Sequence, residues 1–321
     1  MSSTKLRNVA SVAIPVLLGA GLTYYIYTSF TPAQLAKMKS YFITANYNFV
    51  AMALFVAFLG YVFRAYRWKY TLAEIGSYPG FTINFLAVSI GYLVNLGIPR
   101  SGEVSRALVL KKYKEIPFDK AFGTIIAERI VDFFILILLI LTAVALEFNT
   151  LKEFLLKNIP IPLLLILAIL GFLGLLTSIY LYKYSKWKLI IQLKSKIEGL
   201  NEGVLTIFNM PNKWPFLFHT LLIWGSYILM FYLTVQSLDA TQNMTLGTTI
   251  VAFVIGGLVM TFTNGGFGFF PALISKILIL YHIPEEAGTA LGWIIWISQL
   301  IITVFLGLFG FLALPLVNRR K

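Results

Sequence analysis

The chain has no cysteine and little charge of either sign. None of its 321 residues is Cys, two are His, and 12% are charged. Without Cys there is no disulfide, no thiol nucleophile and no cysteine-based metal centre. The two histidines, His219 and His282, are far apart in the sequence and fit no zinc-protease pattern. We therefore expect no metal and no other cofactor.

Apolar residues are what the chain has in excess. They make up 59% of it, with a mean hydropathy of +0.83, whereas a soluble domain has about 25% charged residues. The apolar runs are continuous rather than alternating, and many are long enough to cross a bilayer, which excludes a β-barrel. The sequence predicts an all-α polytopic membrane protein whose residues 1–321 form a single integral membrane domain.

The net charge of +13 comes from basic residues in short loops between the apolar runs. Such residues indicate topology and attract anionic head groups, so we expect no nucleic-acid partner. The positive-inside rule is satisfied at every loop by six spanning helices and two re-entrant helical hairpins from opposite faces. Residues 81–113 enter from the cytoplasm and 246–281 from outside, while 183–213 form a basic amphipathic cytoplasmic segment.

This topology places both termini in the cytoplasm and the protein in the cytoplasmic membrane. Paired interrupted segments in the two halves are typical of an inverted repeat with a transport site at its interface. The sequence allows a homo-oligomer, although no residue argues for one.

A group of ionisable residues lies in stretches that otherwise indicate burial in the membrane. Each would cost about 2.5–3.5 kcal/mol at mid-depth if unpaired, so the side chains must face one another, water or a ligand. The six residues are Arg100, Glu103, Arg106, Glu128, Arg129 and Asp132.

Two interpretations of this group remain open at the level of sequence. Pro99 fits the first turn of a helix, and Arg100 and Arg106 beside that helix start would bind a phosphate bidentately. Glu128 and Asp132 share a helix face at i, i+4 and would hold the arginines until a lipid phosphate replaces them. The alternative is a closed and neutral ion-pair network that only locks two helices together.

The tips of the two hairpins provide further candidate substrate-binding positions. Asparagine and glycine at these points favour a break in the helix. Within the membrane, non-helical backbone is tolerated only where it is buried in protein or lines a cavity. The candidates are Asn95, Asn264, Gly265, Gly266 and Gly268.

Two consecutive motifs resemble the lysylphosphatidylglycerol synthetase transmembrane (flippase-like) family. They are Asn95-x-x-x-Pro99-Arg100-x-Gly102-Glu103-x-x-Arg106 and, after it, Glu128-Arg129-x-x-Asp132. Asn264–Pro271 lies where that family has a glycine-rich segment, with Phe269-Phe270-Pro271 in place of its usual acidic ending. The resemblance implies two re-entrant hairpins around a lipid-accessible cavity, with the six charged residues as its site. Because the chain stops at Lys321, aminoacyl transfer is not implied.

The expected function is a flippase that moves an anionic phospholipid or a polyprenyl-phosphate lipid between leaflets. Its partners would be membrane lipids, and we expect no catalytic residue and no metal. Two alternatives are an integral-membrane enzyme acting on a lipid phosphate, with Glu128 or Asp132 as base, and a non-transporting accessory subunit of an envelope pathway.

Overall fold

A computed structural model shows a helical bundle. It describes residues 3–98, 101–158, 160–185, 209–263 and 265–318, together with residues 187 and 190. This part of the chain contains twelve helices and no strand. They are α1 (Ser3–Ser29), α2 (Pro32–Thr44), α3 (Tyr47–Glu74), α4 (Phe81–Gly97), α5 (Ser101–Lys114), α6 (Phe118–Leu146), α7 (Phe148–Asn158), α8 (Ile161–Tyr184), α9 (Lys213–Val235), α10 (Leu246–Phe262), α11 (Phe269–Ile279) and α12 (Glu285–Asn318).

The predicted fold class is confirmed: the protein is an all-helical polytopic membrane protein. Within the described residues, α3, α6, α9 and α12 are long and apolar enough to cross a membrane. The count of six spanning helices stays a prediction, with α1 and α8 as the other two. The amphipathic segment predicted at 183–213 lies mostly outside the described residues.

Contacts between helix ends define two faces of the bundle. We call the face where α3 begins face 1. There the Asn46 amide donates to the Ser237 carbonyl after α9 (2.8 Å). Lys37 of α2, the helix that precedes α3, pairs with Glu286 at the start of α12 (3.7 Å). The 34 residues of α12 span about 51 Å. The far end of α12 therefore lies on the opposite face, which we call face 2.

The hairpin formed by α4 and α5 opens to face 2. Helix α3 ends on that face, α4 follows it, and the Asn318 amide at the end of α12 donates to the Tyr113 carbonyl near the end of α5 (3.3 Å). The two arms approach closely because Gly91 and Gly102 face each other. A Cβ atom added to Gly91 would lie 2.9 Å from the Gly102 carbonyl oxygen. Asn95 accepts a hydrogen bond from the Gly102 amide (2.7 Å) and so caps the start of α5.

The hairpin formed by α10 and α11 opens to face 1. Helix α10 begins beside the end of α6, where Thr245 donates to Glu147 (3.4 Å). The tip turns through Gly265, Gly266 and Gly268, whose φ angles of 70°, 72° and 72° suit glycine and strain other residues. The indole of Trp296 on α12 donates to the Gly265 carbonyl (2.7 Å) and fixes the tip.

The second hairpin tip lies next to the last turn of α4. A Cβ atom added to Gly265 would lie 3.7 Å from Leu96 Cδ2 in that turn. On its other side the second tip contacts the middle of α1, where the backbone of Gly268 lies against Gly19. The second tip is therefore covered by protein on two sides, whereas Gly97 and Ile98, at the described end of α4, are exposed.

The close approach of α4 and α5 gives a stability prediction. We expect Gly102→Ala to lower the free energy of unfolding by about 1–3 kcal/mol, because its methyl group would overlap the Gly91 carbonyl and the Asn95 side chain. The matched control is Gly123→Ala on α6, where nothing lies within 4 Å of the added carbon. Thermal unfolding of both variants in detergent measures the difference, and equal melting temperatures would contradict the packing argument.

Candidate functional site

The site is built around two carboxylates on the inner face of α6. Glu128 and Asp132 are one turn apart and buried. Asp132 is the midpoint of this 29-residue helix, about 21 Å from either end. The opposite face of α6 is apolar and exposed, as a lipid-facing surface should be. Its exposed residues include Phe133, Phe134, Leu138 and Leu141.

Asp132 binds three arginines. Arg67 of α3 donates to both of its oxygens, with Nη1 at 2.6 Å from Oδ1 and Nη2 at 3.0 Å from Oδ2. Arg64, one turn earlier on α3, lies 3.3 Å from Oδ2, and Arg129 lies 3.2 Å from the same oxygen. The indole of Trp224 on α9 also donates to Oδ1 (3.4 Å).

Glu128 lies between two guanidinium groups. Its Oε2 accepts a hydrogen bond from Arg106 Nη2 of α5 (3.0 Å). Its Oε1 lies 3.6 Å from Arg67 Nε, and neither of these two buried atoms has a hydrogen-bond partner in the part of the chain that the structure describes. Glu128 therefore links the first hairpin to α3 through one strong and one incomplete contact.

Aromatic rings cover the guanidinium groups. Trp68 lies 4.1 Å from the centre of the Arg106 guanidinium, and its own indole donates to Thr124 (2.9 Å). Phe216 lies 5.4 Å from the Arg67 guanidinium. Such cation–π contacts stabilise a cation that is withdrawn from water.

The buried arginines are nearly inaccessible: relative exposure is 3% for Arg64, 0% for Arg67 and 5% for Arg106. Glu128 is also fully buried. Arg129 differs, because 37% of its side chain is exposed. In this structure the cluster is therefore closed to its surroundings except at Arg129, whose side chain is partly accessible.

A series of tyrosine hydroxyls leads away from the cluster. Arg64 donates to the Tyr227 hydroxyl (3.0 Å), which bonds to the Tyr92 hydroxyl (2.9 Å). One turn along α3 toward face 1, Tyr61 bonds to Thr303 of α12 (2.9 Å). These neutral polar groups lie between the charged cluster and the middle of α12.

The structure brings together four of the six charged residues that the sequence singled out: Arg106, Glu128, Arg129 and Asp132. Glu103 is half-buried and makes no ion pair with the described residues, and its buried Oε2 has no hydrogen-bond partner among them. Arg100 lies outside the described residues.

The described cluster differs in composition from the six residues that the sequence singled out. Four guanidinium groups share two carboxylates, because Arg64 and Arg67 join the cluster and Glu103 does not. The described cluster has a surplus of positive charge, and this surplus persists even if Glu103 is included.

The remaining candidates lie at the hairpin tips and not in the cluster. Asn95 binds the Gly102 amide, and Gly265, Gly266 and Gly268 form the second turn. Asn264 lies outside the described residues. Gly266 also donates to the Thr263 hydroxyl and Gly265 accepts from Trp296, so the described candidates shape the tips.

Sequence reasoning missed Arg64 and Arg67. The continuous apolar stretch before these arginines ends at residue 63, whereas α3 continues to Glu74 and carries both of them. One signal could have found them: Tyr61, Arg64, Arg67 and Thr71 recur at spacings of three or four, so polar residues follow one helix face.

Comparison with known proteins agrees with this architecture. Residues 12–307 match the model of the lysylphosphatidylglycerol synthase TM region. The chain belongs to this family. A UPF0104 membrane protein of Methanocaldococcus jannaschii is 24% identical over 314 residues, covering 89% of this chain and 90% of the relative. No solved structure is significantly similar to the chain.

The family is one of membrane proteins linked to lipid handling. The resemblance seen in the sequence motifs is thereby confirmed at the level of family.

A cavity of about 500 Å³ lies apart from the cluster, at face 1. It is lined by α7, the start of α10, the loop before α10 and the loop after α11, with Glu153, Asn243 and His282 among its polar residues. Burial, with a contribution from nearby Glu147, raises the pKa of Tyr281 in its wall to about 12. Tyr281 is therefore a neutral hydroxyl at physiological pH.

The contacts of Asp132 give a second stability prediction. Asp132→Asn leaves Arg64 and Arg67 buried without their carboxylate, so we expect a loss of about 3–5 kcal/mol in the free energy of unfolding. Asp119→Asn changes an exposed acid on the same helix and should alter it by less than about 1 kcal/mol. Denaturation of both variants in the same detergent measures the effect, and similar stability of the two would show that the ion pairs contribute little.

Proposed function

We propose that this protein moves an anionic lipid between membrane leaflets and that its arginine cluster binds the lipid phosphate. The observation that supports this is the surplus of guanidinium groups at the midpoint of α6. A net positive charge in a low-dielectric region is strongly destabilising unless an anion compensates it. Guanidinium binds phosphate in two-point geometry, and the lipids around the bundle are an abundant source of phosphate groups.

The position of α6 favours entry from the side of the bundle. Its outer face is apolar and exposed, so one helix separates the cluster from lipid. Arg129 lies at that boundary with 37% of its side chain exposed. In the proposed transport the head group enters past Arg129 while the acyl tails stay in the bilayer.

The membrane placement is part of the proposal. In this placement six helices span the membrane, and the hairpins α4–α5 and α10–α11 are re-entrant. Face 2 lies on the cytoplasmic side of the cytoplasmic membrane. The basic last turn of α5, with Lys111, Lys112 and Lys114, favours this orientation under the positive-inside rule. Both termini are then cytoplasmic.

We propose transport in preference to chemistry on the lipid. Glu128 and Asp132, the two candidate bases, are buried and each accepts a hydrogen bond from arginine, so neither is open to a substrate in this arrangement. The geometry fits the phosphate common to phospholipids and polyprenyl phosphates. The choice between these lipids is left to experiment.

A liposome assay tests the proposal. Purified protein should accelerate leaflet exchange of labelled phosphatidylglycerol or polyprenyl phosphate above empty liposomes. Arg106→Gln should slow exchange about tenfold or more, because a charge-assisted hydrogen bond is worth about 1.5–3 kcal/mol. The matched control is Lys276→Gln, which removes an exposed cation at face 1 and should have no effect.

Other outcomes of this assay would contradict the proposal. Exchange no faster than in empty liposomes, across anionic and polyprenyl lipids, would favour an accessory subunit. Conversion of the labelled lipid to a new product would favour an enzyme. Each variant is compared only when it melts at the temperature of the unmodified protein.

The orientation has its own test. The chain has no Cys, so Lys112→Cys introduces a single thiol. We expect a membrane-impermeant maleimide to label it in inverted vesicles and not in intact cells. Labelling from outside the cell would overturn the cytoplasmic assignment of face 2 and of the first hairpin.

A further inference from the structure

The arginines of the cluster differ in how completely they are held. Arg67 donates to both Asp132 oxygens and also to Thr220 (3.3 Å). Arg64 bonds to Asp132 and donates through two nitrogens to the Tyr227 hydroxyl. Both side chains project from the long helix α3, so they form a fixed part of the site.

Arg106 is held by fewer groups. Among the described residues it makes one hydrogen bond, from Nη2 to Glu128, and its buried Nε has no partner there. Trp68 covers one face of the guanidinium at 4.1 Å and is fixed by Thr124. The ring orients the guanidinium plane while part of its hydrogen-bonding edge stays unused. An anion at that edge would complete the hydrogen bonds of Arg106.

Glu128 has an alternative partner within reach. Its Oε1 and Arg67 Nε are 3.6 Å apart, and neither has a hydrogen bond. A shift of about 1 Å brings these atoms to the roughly 2.7–2.9 Å of a charge-assisted hydrogen bond. Glu128 can thus release Arg106 and still be paired with a cation in a low-dielectric site.

Resting on the proposed function, we propose that Glu128 is an exchangeable carboxylate. The phosphate of an anionic lipid binds Arg106, and Glu128 moves from Arg106 to Arg67. When the lipid leaves, Glu128 returns to Arg106 and closes the cluster. Arg106 is then the phosphate-binding arginine, Trp68 is a positioning residue, and Arg67 stabilises the displaced carboxylate.

The exchange predicts opposite effects on binding and on transport. Glu128→Gln removes the anion that competes with the lipid, so its affinity for short-chain phosphatidylglycerol should rise about tenfold. Leaflet exchange by the same variant should fall, because the group that displaces the lipid is missing. Lys276→Gln should change neither quantity. Calorimetry on the detergent-purified full chain measures binding, and the liposome assay measures exchange.

A second variant keeps the test decisive if Glu128→Gln does not fold. Arg67→Lys retains a cation for Asp132 but has no Nε to receive Glu128. We expect this variant to bind phosphatidylglycerol about tenfold more weakly than the unmodified protein. Its melting temperature is measured in parallel, so that weak binding by a folded protein supports the exchange.

Three results would overturn the inference. The first is equal loss of binding and exchange in Glu128→Gln, as expected for a purely structural carboxylate. The second is unchanged binding in folded Arg67→Lys. The third is inorganic phosphate binding as tightly as phosphatidylglycerol, which indicates a site for a free anion. A lack of exchange by the unmodified protein is different, since it contradicts the proposed function while Arg106-dependent binding can still be measured.

Discussion

The architecture depends on two buried carboxylates, one helical turn apart on α6. Asp132 and Glu128 are the groups that allow arginines from α3 and α5 to lie in the middle of the bundle. Removing a guanidinium from water costs several kcal/mol, and only a well-placed counter-ion offsets this cost. The acids therefore determine where α5 lies. They pair Arg106 at depth and so hold the first hairpin inside the bundle.

The same two carboxylates leave the charge balance of the described cluster incomplete. Asp132 contacts three arginines and Glu128 contacts two. Aromatic rings stabilise part of the excess but provide no full negative charge. An anion is the group that completes this arrangement, which is why a phosphate-bearing ligand fits it better than a neutral or cationic one.

Sequence reasoning reached the parts of this structure that local chemistry determines. The hairpin turns were predictable because glycine, asparagine and proline interrupt apolar runs, and the acid pair because i, i+4 spacing places both acids on one face. Arg64 and Arg67 were not found, since a charge near the end of an apolar run is ordinarily interfacial. Both arginines are buried because they pair with Asp132, about 65 residues later in the sequence. A pairing over this distance leaves no pattern in the local sequence.

The tyrosine hydroxyls explain how a charged head group could leave so favourable a site. A route made of further cations would hold a phosphate too tightly, and an apolar route would oppose its passage. Tyr227, Tyr92 and Tyr61 instead present neutral hydroxyls within a turn or so of Arg64, toward face 1. A hydroxyl hydrogen bond is weaker than one from a guanidinium, so affinity falls along this direction. In the proposed transport, this decrease lets the head group leave the arginines while Glu128 recovers Arg106 behind the lipid. The direction of net movement is set by the lipid's own gradient or by another energy source.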